Sequence, residues 1–532
     1  MKTHPNRFWT TVILLGWAFD FLFWQKPPGV NFAIFVMLCL ATGIFLLRSE
    51  GLRLAPRAGL LLIPIAFLAA MSFIRLEPMT VFLSIAMVLF LMGVFALSYL
   101  SGEWLRYSLL DYAFGYLRLF GSVLLRPLGV ISRNRREQTT PNGTRQTRLW
   151  SFVRGVVIAL PVVAIFASLL SSADPIFARR FEHFIDLFNI ENLPEYIFRL
   201  VYILIFAYAL AGTFLHAAET SHQKLEEKTW LPPFLGFTEA TIVLASVVIL
   251  FIAFVVIQFQ YFFGGQVNIG IEGYTYSEYA RKGFGELVTV ALFSLLLLLG
   301  FGAITRRETD NQRRTFSLLG IGLVSLLIVM LIAAFQRLVL YEAAYGFSRL
   351  RTYTHVFMIW LGLLLVVVVI LEVLRRERVI GLAIVLAALG FVISLNVLNV
   401  DAFIVNQNIQ REIRSTTDEA FARGRADLDV QYFLDLSDDA IPPLVDAYLS
   451  KGLPASVKDK VGAALACQDH ERRQAEQAVP WQGFHFSRWR ADAAFRQVNE
   501  QLETYEIIEK DWPVMVETPG GEEFPCVPYF FD

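Results

Sequence analysis

Apolar residues are concentrated in long runs over the first 400 residues, separated by shorter polar connections. The runs at 237–263, 318–335 and 356–374 are too long and too uniformly apolar for soluble core helices. A bilayer requires about 20 predominantly apolar residues for each helical span. The pattern therefore predicts an all-α fold, a polytopic membrane helix bundle with about 11 transmembrane helices. The predicted spans are residues 9–24, 30–48, 58–75, 79–100, 152–172, 196–216, 237–263, 284–304, 316–336, 352–374 and 379–398.

The connections between these spans alternate between rich and poor in Lys and Arg. If the N-terminus is inside, the inner connections hold 23 basic residues and the outer connections hold 10. Basic residues are retained preferentially on the cytoplasmic side. We therefore expect a cytoplasmic N-terminus and, with an odd number of spans, an extracytoplasmic C-terminus. The first run is expected to be a retained anchor, because no small-residue cleavage site follows it.

Composition agrees with the runs and separates the C-terminal part of the chain. Charged residues make up 17% of the sequence, against about a quarter in ordinary soluble proteins. Residues 400–532, here called the tail, hold 13 basic and 24 acidic residues, whereas the preceding residues hold 33 basic and 23 acidic ones. Helix starts near Ser437 and Ser456 indicate that the tail is a small helical extracytoplasmic domain.

These patterns divide the chain into four expected parts. Residues 1–100 form an N-terminal four-span membrane segment, and residues 101–151 form a cytoplasmic basic connection. The first half of that connection mixes aromatic residues with spaced Arg, which is typical of a helix in the lipid headgroup layer. Residues 152–399 form a seven-span membrane core, and residues 400–532 form the acidic tail.

Two helices are predicted to extend beyond the bilayer on the outer side. Thr275 and Glu278 have the spacing of a capping box, which predicts a helix start before the eighth span. The ninth span continues past Phe335 to Tyr345 and is predicted to stop at Gly346 in a left-handed conformation.

Two of the three cysteines, Cys467 and Cys526, lie in the tail. In an oxidising outer compartment they could form a disulfide. Two free thiols are the alternative, and the sequence leaves both open.

The sequence lacks the motifs of several common functional classes. It has no phosphate-binding glycine loop, no paired Cys-x-x-Cys and no His-x-x-x-His, so we expect no cofactor and no metal. The basic inner connections are explained by topology, and nothing indicates nucleic-acid binding. No catalytic residue can be assigned, and an enzyme is the less favoured interpretation.

Polar and aromatic residues gather at the predicted outer helix ends. Arg and Tyr together suit a phosphate or sugar headgroup, because guanidinium binds phosphate with two hydrogen bonds and tyrosine stacks on sugar rings. An aromatic belt with salt bridges between helix ends is the structural alternative. Arg349, Asn396, Asn399 and Asp401 also lie at these ends. The candidate ligand-binding residues are Tyr276, Glu278, Tyr279, Arg281, Arg337, Tyr341, Glu342, Tyr345, Arg351 and His355.

Four segments of this region carry a family resemblance: YTYSEYARKGFGEL at 274–287, RLVLYEAAYGFSRLRTYTHVFMIW at 337–360, NVDAFIVNQNIQ at 399–410 and DLDVQYFLDLSDDAIPPL at 427–444. They resemble the bacterial membrane-protein family called domain of unknown function 4173, and SSADPIF at 171–177 is similar to a further stretch of it. The resemblance implies a bacterial multi-pass protein of the inner membrane with an outer helical tail. It implies no activity.

Three functional classes remain open at this point. The first is an integral membrane protein that binds or moves an anionic or glycosylated lipid at the outer leaflet. The second is a non-catalytic envelope sensor or assembly partner that acts through a protein partner of the tail. The third is a membrane-embedded glycosyl- or phosphotransferase. In each class the lipid bilayer is the first expected partner.

Overall fold

The computed structural model describes residues 5–137, 192–219, 233–263, 284–417, 427–474, 479–509 and 512–527, with scattered positions between 159 and 177. Helices account for most of these residues, and three short strands lie near the C-terminus. The α-helices are α1 (Pro5–Phe23), α2 (Val30–Ser49), α3 (Pro56–Gly59), α4 (Leu62–Ile74), α5 (Pro78–Ser98), α6 (Leu109–Glu137), α7 (Leu193–Glu219), α8 (Phe237–Phe263), α9 (Phe284–Ile304), α10 (Asp310–Tyr345), α11 (Arg349–Val373), α12 (Ile380–Leu398), α13 (Val400–Thr417), α14 (Val430–Leu434), α15 (Ile441–Leu449), α16 (Ala455–Gln474), α17 (Phe486–Phe495) and α18 (Asn499–Leu502). Short 3-10 helices lie at Glu103–Arg106, Glu377–Val379, Asp438–Ala440 and Trp481–Gly483, and the strands are β1 (Glu506–Ile508), β2 (Met515–Glu517) and β3 (Glu523–Pro525).

Within the described ranges, nine helices are long and apolar enough to cross a bilayer. Each of the nine coincides with one of the predicted spans, so the predicted polytopic helical membrane bundle is confirmed. The predicted span 9–24 forms most of α1, which is not one of the nine. The predicted span 152–172 lies largely outside the described residues.

Although α1 is not among the nine, it packs tightly against the membrane helix α7. The buried carboxylate of Asp20 accepts hydrogen bonds from Arg199 Nε at 3.0 Å and Nη2 at 2.6 Å. At Gly16 an added Cβ would lie 2.5 Å from the carbonyl oxygen of Ile203. Close approach through a small residue is the usual way in which membrane helices pack. The first helix is therefore part of the bundle.

The two largest of the apolar cores in the described part of the bundle lie on either side of α12. One is built mainly from α2, α4 and α5, and the other from α8, α9, α10 and α11. Helix α12 packs against both α5 and α11 and so joins them. At Gly390 of α12 an added Cβ would lie 2.1 Å from the ring of Trp360, whose Nε1 donates to Ser394 Oγ at 3.0 Å. The joint between the two cores therefore depends on glycine at position 390.

Helix α6 starts at Leu109 and includes most of the first half of the connection 101–151, the part that was expected to lie at the membrane surface. It packs along α7, where Arg126 Nη1 donates to the carbonyl oxygen of Leu215 at 3.1 Å. Leu117, Phe120 and Leu125 are exposed on α6. One side of α6 therefore packs on the protein, and the other side exposes apolar residues. The position of α6 in the lipid headgroup layer stays a prediction.

Helix α10 is 36 residues long, about 54 Å, and exceeds the thickness of the hydrocarbon core. It begins with a capping box in which Thr309 and Gln312 each accept from the other's backbone N–H. It ends at Gly346, where φ is +80° and an added Cβ would lie 2.8 Å from Asn408 Oδ1. The predicted stop at this glycine is confirmed, but ψ is 175°, so the predicted left-handed helical conformation is wrong. The positive φ and the lack of space for a Cβ both require glycine at this position.

The tail follows α12 directly. Asn399 has a φ of +53°, and this turn starts α13, which leads into the helices α14 to α18. The strands β1, β2 and β3 form an antiparallel sheet in that order. This sheet lies at the end of the tail, and the sequence did not predict it because segments of three residues are too short to show a strand period. Cys467 of α16 and Cys526 form a disulfide, with Cα atoms 5.2 Å apart.

Candidate functional site at the junction of bundle and tail

The most completely paired carboxylate at the junction is Asp401, in the first turn of α13. Asp401 is fully buried and accepts hydrogen bonds from Arg349 Nε at 2.8 Å and Nη2 at 2.6 Å. It also accepts from the backbone N–H of Ser437 at 2.8 Å and from its hydroxyl at 2.7 Å. A buried charge is tolerated where such bonds replace water. Asp401 therefore joins the membrane helix α11 to the tail segment that precedes α15.

A second buried carboxylate, Glu77, caps the N-terminus of α5. It accepts from the backbone N–H groups of Met79 at 2.9 Å and Thr80 at 2.7 Å, and from the hydroxyl of Thr80. The hydroxyl of Tyr353, one turn after Arg349 on α11, also donates to it. The partial positive charge of a helix N-terminus stabilises a carboxylate there. One stripe of α11 therefore contacts the buried carboxylates of both α5 and α13.

The third buried carboxylate, Asp439, lies just before α15. It accepts from the backbone N–H of Leu76 at 2.7 Å, and Arg75 Nη1 lies 3.7 Å away. Arg75 Nε donates to the carbonyl oxygen of Asn396 at 2.9 Å. Burial raises the pKa of Asp439, while the Leu76 N–H and Arg75 oppose the rise. Burial lowers the pKa of Arg75, and the nearby Arg490 lowers it further.

A pocket of about 220 Å³ lies between the end of α4, the turn at Asn399 and the tail helices α15 and α17. Arg75 and Arg490 contribute guanidinium groups to its wall, and Asp439 and Asp446 contribute carboxylates. The Oδ1 of Asn399 is buried with no hydrogen-bond partner among the described residues. The remaining lining residues are Ile74, Ala402, Pro442, Pro443, Phe486 and Ser487.

Four of the predicted ligand-binding residues, Tyr276, Glu278, Tyr279 and Arg281, lie outside the described residues, as does the predicted capping box at Thr275. Their part in the candidate ligand-binding site stays a prediction.

The described members of the predicted site lie around the end of α10 and the start of α11. The rings of Tyr341 and Tyr345 have centroids 5.0 Å apart, and the Arg351 guanidinium lies 4.1 Å above the Tyr341 ring. Arg351 also donates to the carbonyl oxygen of Gly346. This cation–π contact occupies one face of the Tyr341 ring.

The other three described members make separate contacts nearby. Glu342 is buried, with Oε1 3.1 Å from Nδ1 of His355. Arg337 Nη2 donates to Gln258 Oε1 of α8 at 2.9 Å. None of the six described members of the predicted site contributes to the wall of the junction pocket.

The sequence predicted a candidate site at the ends of α10 and α11, which stays a prediction, and it did not predict the pairing of polar groups at the junction. The sequence does carry a signal for Glu77, because an acid followed by Pro78 before an apolar run marks a helix start. For Asp401 and Arg349 the sequence indicates only a position near predicted helix ends. Among the described residues, no group of three or more His, Cys, Asp or Glu side chains could hold a metal ion.

Comparison with known proteins gives one family. No curated protein and no solved structure matches the chain. Residues 62–447 match the family model described as Domain of unknown function (DUF4153), a range that includes Glu77, Asp401 and Asp439. The resemblance to domain of unknown function 4173 named a different family, but the prediction that the family is uncharacterised is confirmed. The chain is an integral membrane protein that belongs to the DUF4153 family.

Proposed function

We propose that this protein binds the phosphate-bearing headgroup of an anionic lipid in the junction pocket. The observation that carries the proposal is the position of Arg75 and Arg490 in one pocket at the end of a membrane helix. Guanidinium groups bind phosphate oxygens with two parallel hydrogen bonds. The exposed Arg490 is available to a ligand, while Arg75 is held by Asn396 and Asp439.

The size of the pocket supports a headgroup and excludes a whole lipid. About 220 Å³ is below the usual range of roughly 300–1,000 Å³ for pockets that enclose a small molecule. The acyl chains would remain in the bilayer beside α4, whose last residue, Ile74, lines the pocket. The headgroup would thus enter from the level at which lipid headgroups lie.

The side of the membrane follows from the distribution of basic residues. The inner connections hold 23 and the outer ones hold 10 with the N-terminus inside. This asymmetry favours a cytoplasmic N-terminus and an extracytoplasmic tail. The proposed ligand is then a lipid of the outer leaflet, which agrees with the first functional class derived from the sequence.

Lipid binding to purified full-length protein in detergent, measured by native mass spectrometry, tests the proposal. Phosphatidylglycerol should bind more tightly than phosphatidylcholine, and Arg490→Gln should weaken phosphatidylglycerol binding about tenfold or more, as expected for a lost charge-assisted hydrogen bond. The control is Arg496→Gln, which removes the same charge from an exposed position at the end of α17 outside the pocket lining.

Inorganic phosphate is added in a separate arm to distinguish the lipid from the free anion. Competition by phosphate alone would show that the pocket selects the anion and not the lipid. An equal loss of phosphatidylglycerol binding in Arg490→Gln and Arg496→Gln would show that the overall positive charge attracts the lipid. The proposal that the pocket binds it would then be wrong.

A further inference from the structure

A short segment of the tail exposes four large aromatic side chains. Trp481, Phe484, Phe486 and Trp489, here called the aromatic rim, lie within nine residues. Trp481 is 56% exposed and Trp489 is 52% exposed, and the rings of Phe486 and Trp489 stack with centroids 5.4 Å apart. Large aromatic groups are costly to leave in water, and a group of them marks an interaction surface.

The aromatic rim is held at the end of a membrane helix. The backbone N–H of Val30, the first residue of α2, donates to the carbonyl oxygen of Phe484 at 3.1 Å. His485 Nε2 lies 2.8 Å from the carbonyl oxygen of Pro28. An added Cβ at Gly29 would lie 2.7 Å from the carbonyl carbon of Gly483, so the two backbones touch. These contacts place the rim at the level of the N-terminus of α2 relative to the membrane.

The rim is continuous with the apolar flank of the bundle. The ring of Trp481 lies 6.5 Å from that of Phe21 on α1, and Phe21 and Trp17 are both exposed along that helix. Helix α17, which carries Phe486 and Trp489, also packs against α4. Exposed apolar side chains on membrane helices are covered by lipid, so lipid reaches the edge of the rim.

We propose that the aromatic rim inserts into the lipid headgroup layer and holds the tail on the membrane surface. Indole rings favour this layer because the ring is apolar and its N–H can donate to a headgroup. Arg488 and Arg490 lie on the same helix as the rim and add attraction to anionic lipid. Phe486 and Arg490 also line the junction pocket, but insertion of the rim does not require that a ligand occupies the pocket.

Hydroxyl-radical footprinting of the unmodified chain in phosphatidylcholine vesicles tests the insertion. Trp512 is the internal control, because it has the same side chain, is 79% exposed and lies beside β2, which packs on the tail helix α16. We expect Trp481 and Trp489 to be oxidised several-fold more slowly than Trp512. Equal oxidation rates for all three would overturn the proposal.

Spin labelling separates protection by lipid from protection by another protein copy. Trp489→Cys and Trp512→Cys are each labelled in a background in which the free, buried Cys39 is changed to Ala. Insertion predicts high accessibility to oxygen and low accessibility to a water-soluble nickel chelate at position 489, with the reverse at 512. Low accessibility to both reagents at 489 would show a protein contact, and the lipid proposal would be wrong.

Discussion

Arg349 and Asp401 form a two-hydrogen-bond ion pair, with Nε to Oδ1 at 2.8 Å and Nη2 to Oδ2 at 2.6 Å. Arg349 is the first residue of the membrane helix α11, and Asp401 lies in the first turn of α13, where the tail begins. The pair therefore fixes the tail on the bundle at a position where water cannot reach the carboxylate.

Removing one partner of this pair should be strongly destabilising. Asp401→Leu leaves the Arg349 charge without its partner, and we expect a loss of about 3–5 kcal/mol in the free energy of unfolding. The double variant Arg349→Met/Asp401→Leu should lose less than Asp401→Leu alone. Thermal and denaturant unfolding of the purified full chain measure both. A loss for Asp401→Leu no larger than that for the exposed Asp446→Asn would contradict the assignment.

The hydroxyl of Tyr353 should contribute to stability through Glu77. Tyr353→Phe removes a donor from a buried carboxylate, so we expect a loss of about 1–3 kcal/mol with little change in volume. Tyr345→Phe is the matched control, because its side chain is more exposed and its ring contacts Tyr341. Equal unfolding midpoints for the two variants would show that the contact with Glu77 is energetically silent.

The raised pKa of Asp439 gives a prediction with a definite sign. Burial raises the pKa, so the folded state binds a proton more readily than the unfolded state. The carboxylate therefore destabilises the fold progressively as the pH rises above the ordinary pKa of about 4. We expect the stability of the wild type relative to Asp439→Asn to decrease from pH 4 to pH 7. An increase over that interval would mean that pairing with Arg75 outweighs burial.

The Cys467–Cys526 disulfide should stabilise the tail. It closes a loop across a sequence separation of 59 residues, for which the chain-entropy model gives about 4 kcal/mol. The unfolded, non-reduced chain should titrate one thiol, that of Cys39, and three after reduction. The reduced tail should unfold at a lower denaturant concentration than the disulfide-bonded tail. Three thiols in the non-reduced chain would contradict the bond.

The proposed orientation can be measured with fused reporters. A reporter that is active only outside the cytoplasm should be active after Asp532 and silent after Arg314, which lies near the start of α10. The basis is the excess of basic residues in the inner connections. The opposite pattern of activity would reverse the orientation and move the lipid proposal to the inner leaflet.

The sequence predicted the membrane helices well because the signal for each one is local. A span needs only enough consecutive apolar residues, and nine described helices follow predicted runs. The end of α10 was equally local, since Gly346 permits a positive φ. The sheet of the tail was not predicted, because three-residue strands are recognised by their partners and not by their own pattern.

By itself the sequence determined the class of protein, the position of most helices and the contrast between the bundle and the acidic tail. Only the tertiary structure decided which polar groups meet: Glu77 and Tyr353 are 276 positions apart, and Leu76 and Asp439 are 363 apart. A long apolar run shows that a helix lies in the membrane, but it does not show which helix packs beside it. The neighbours depend on close packing at positions such as Gly390 and on the few buried charges that must find partners.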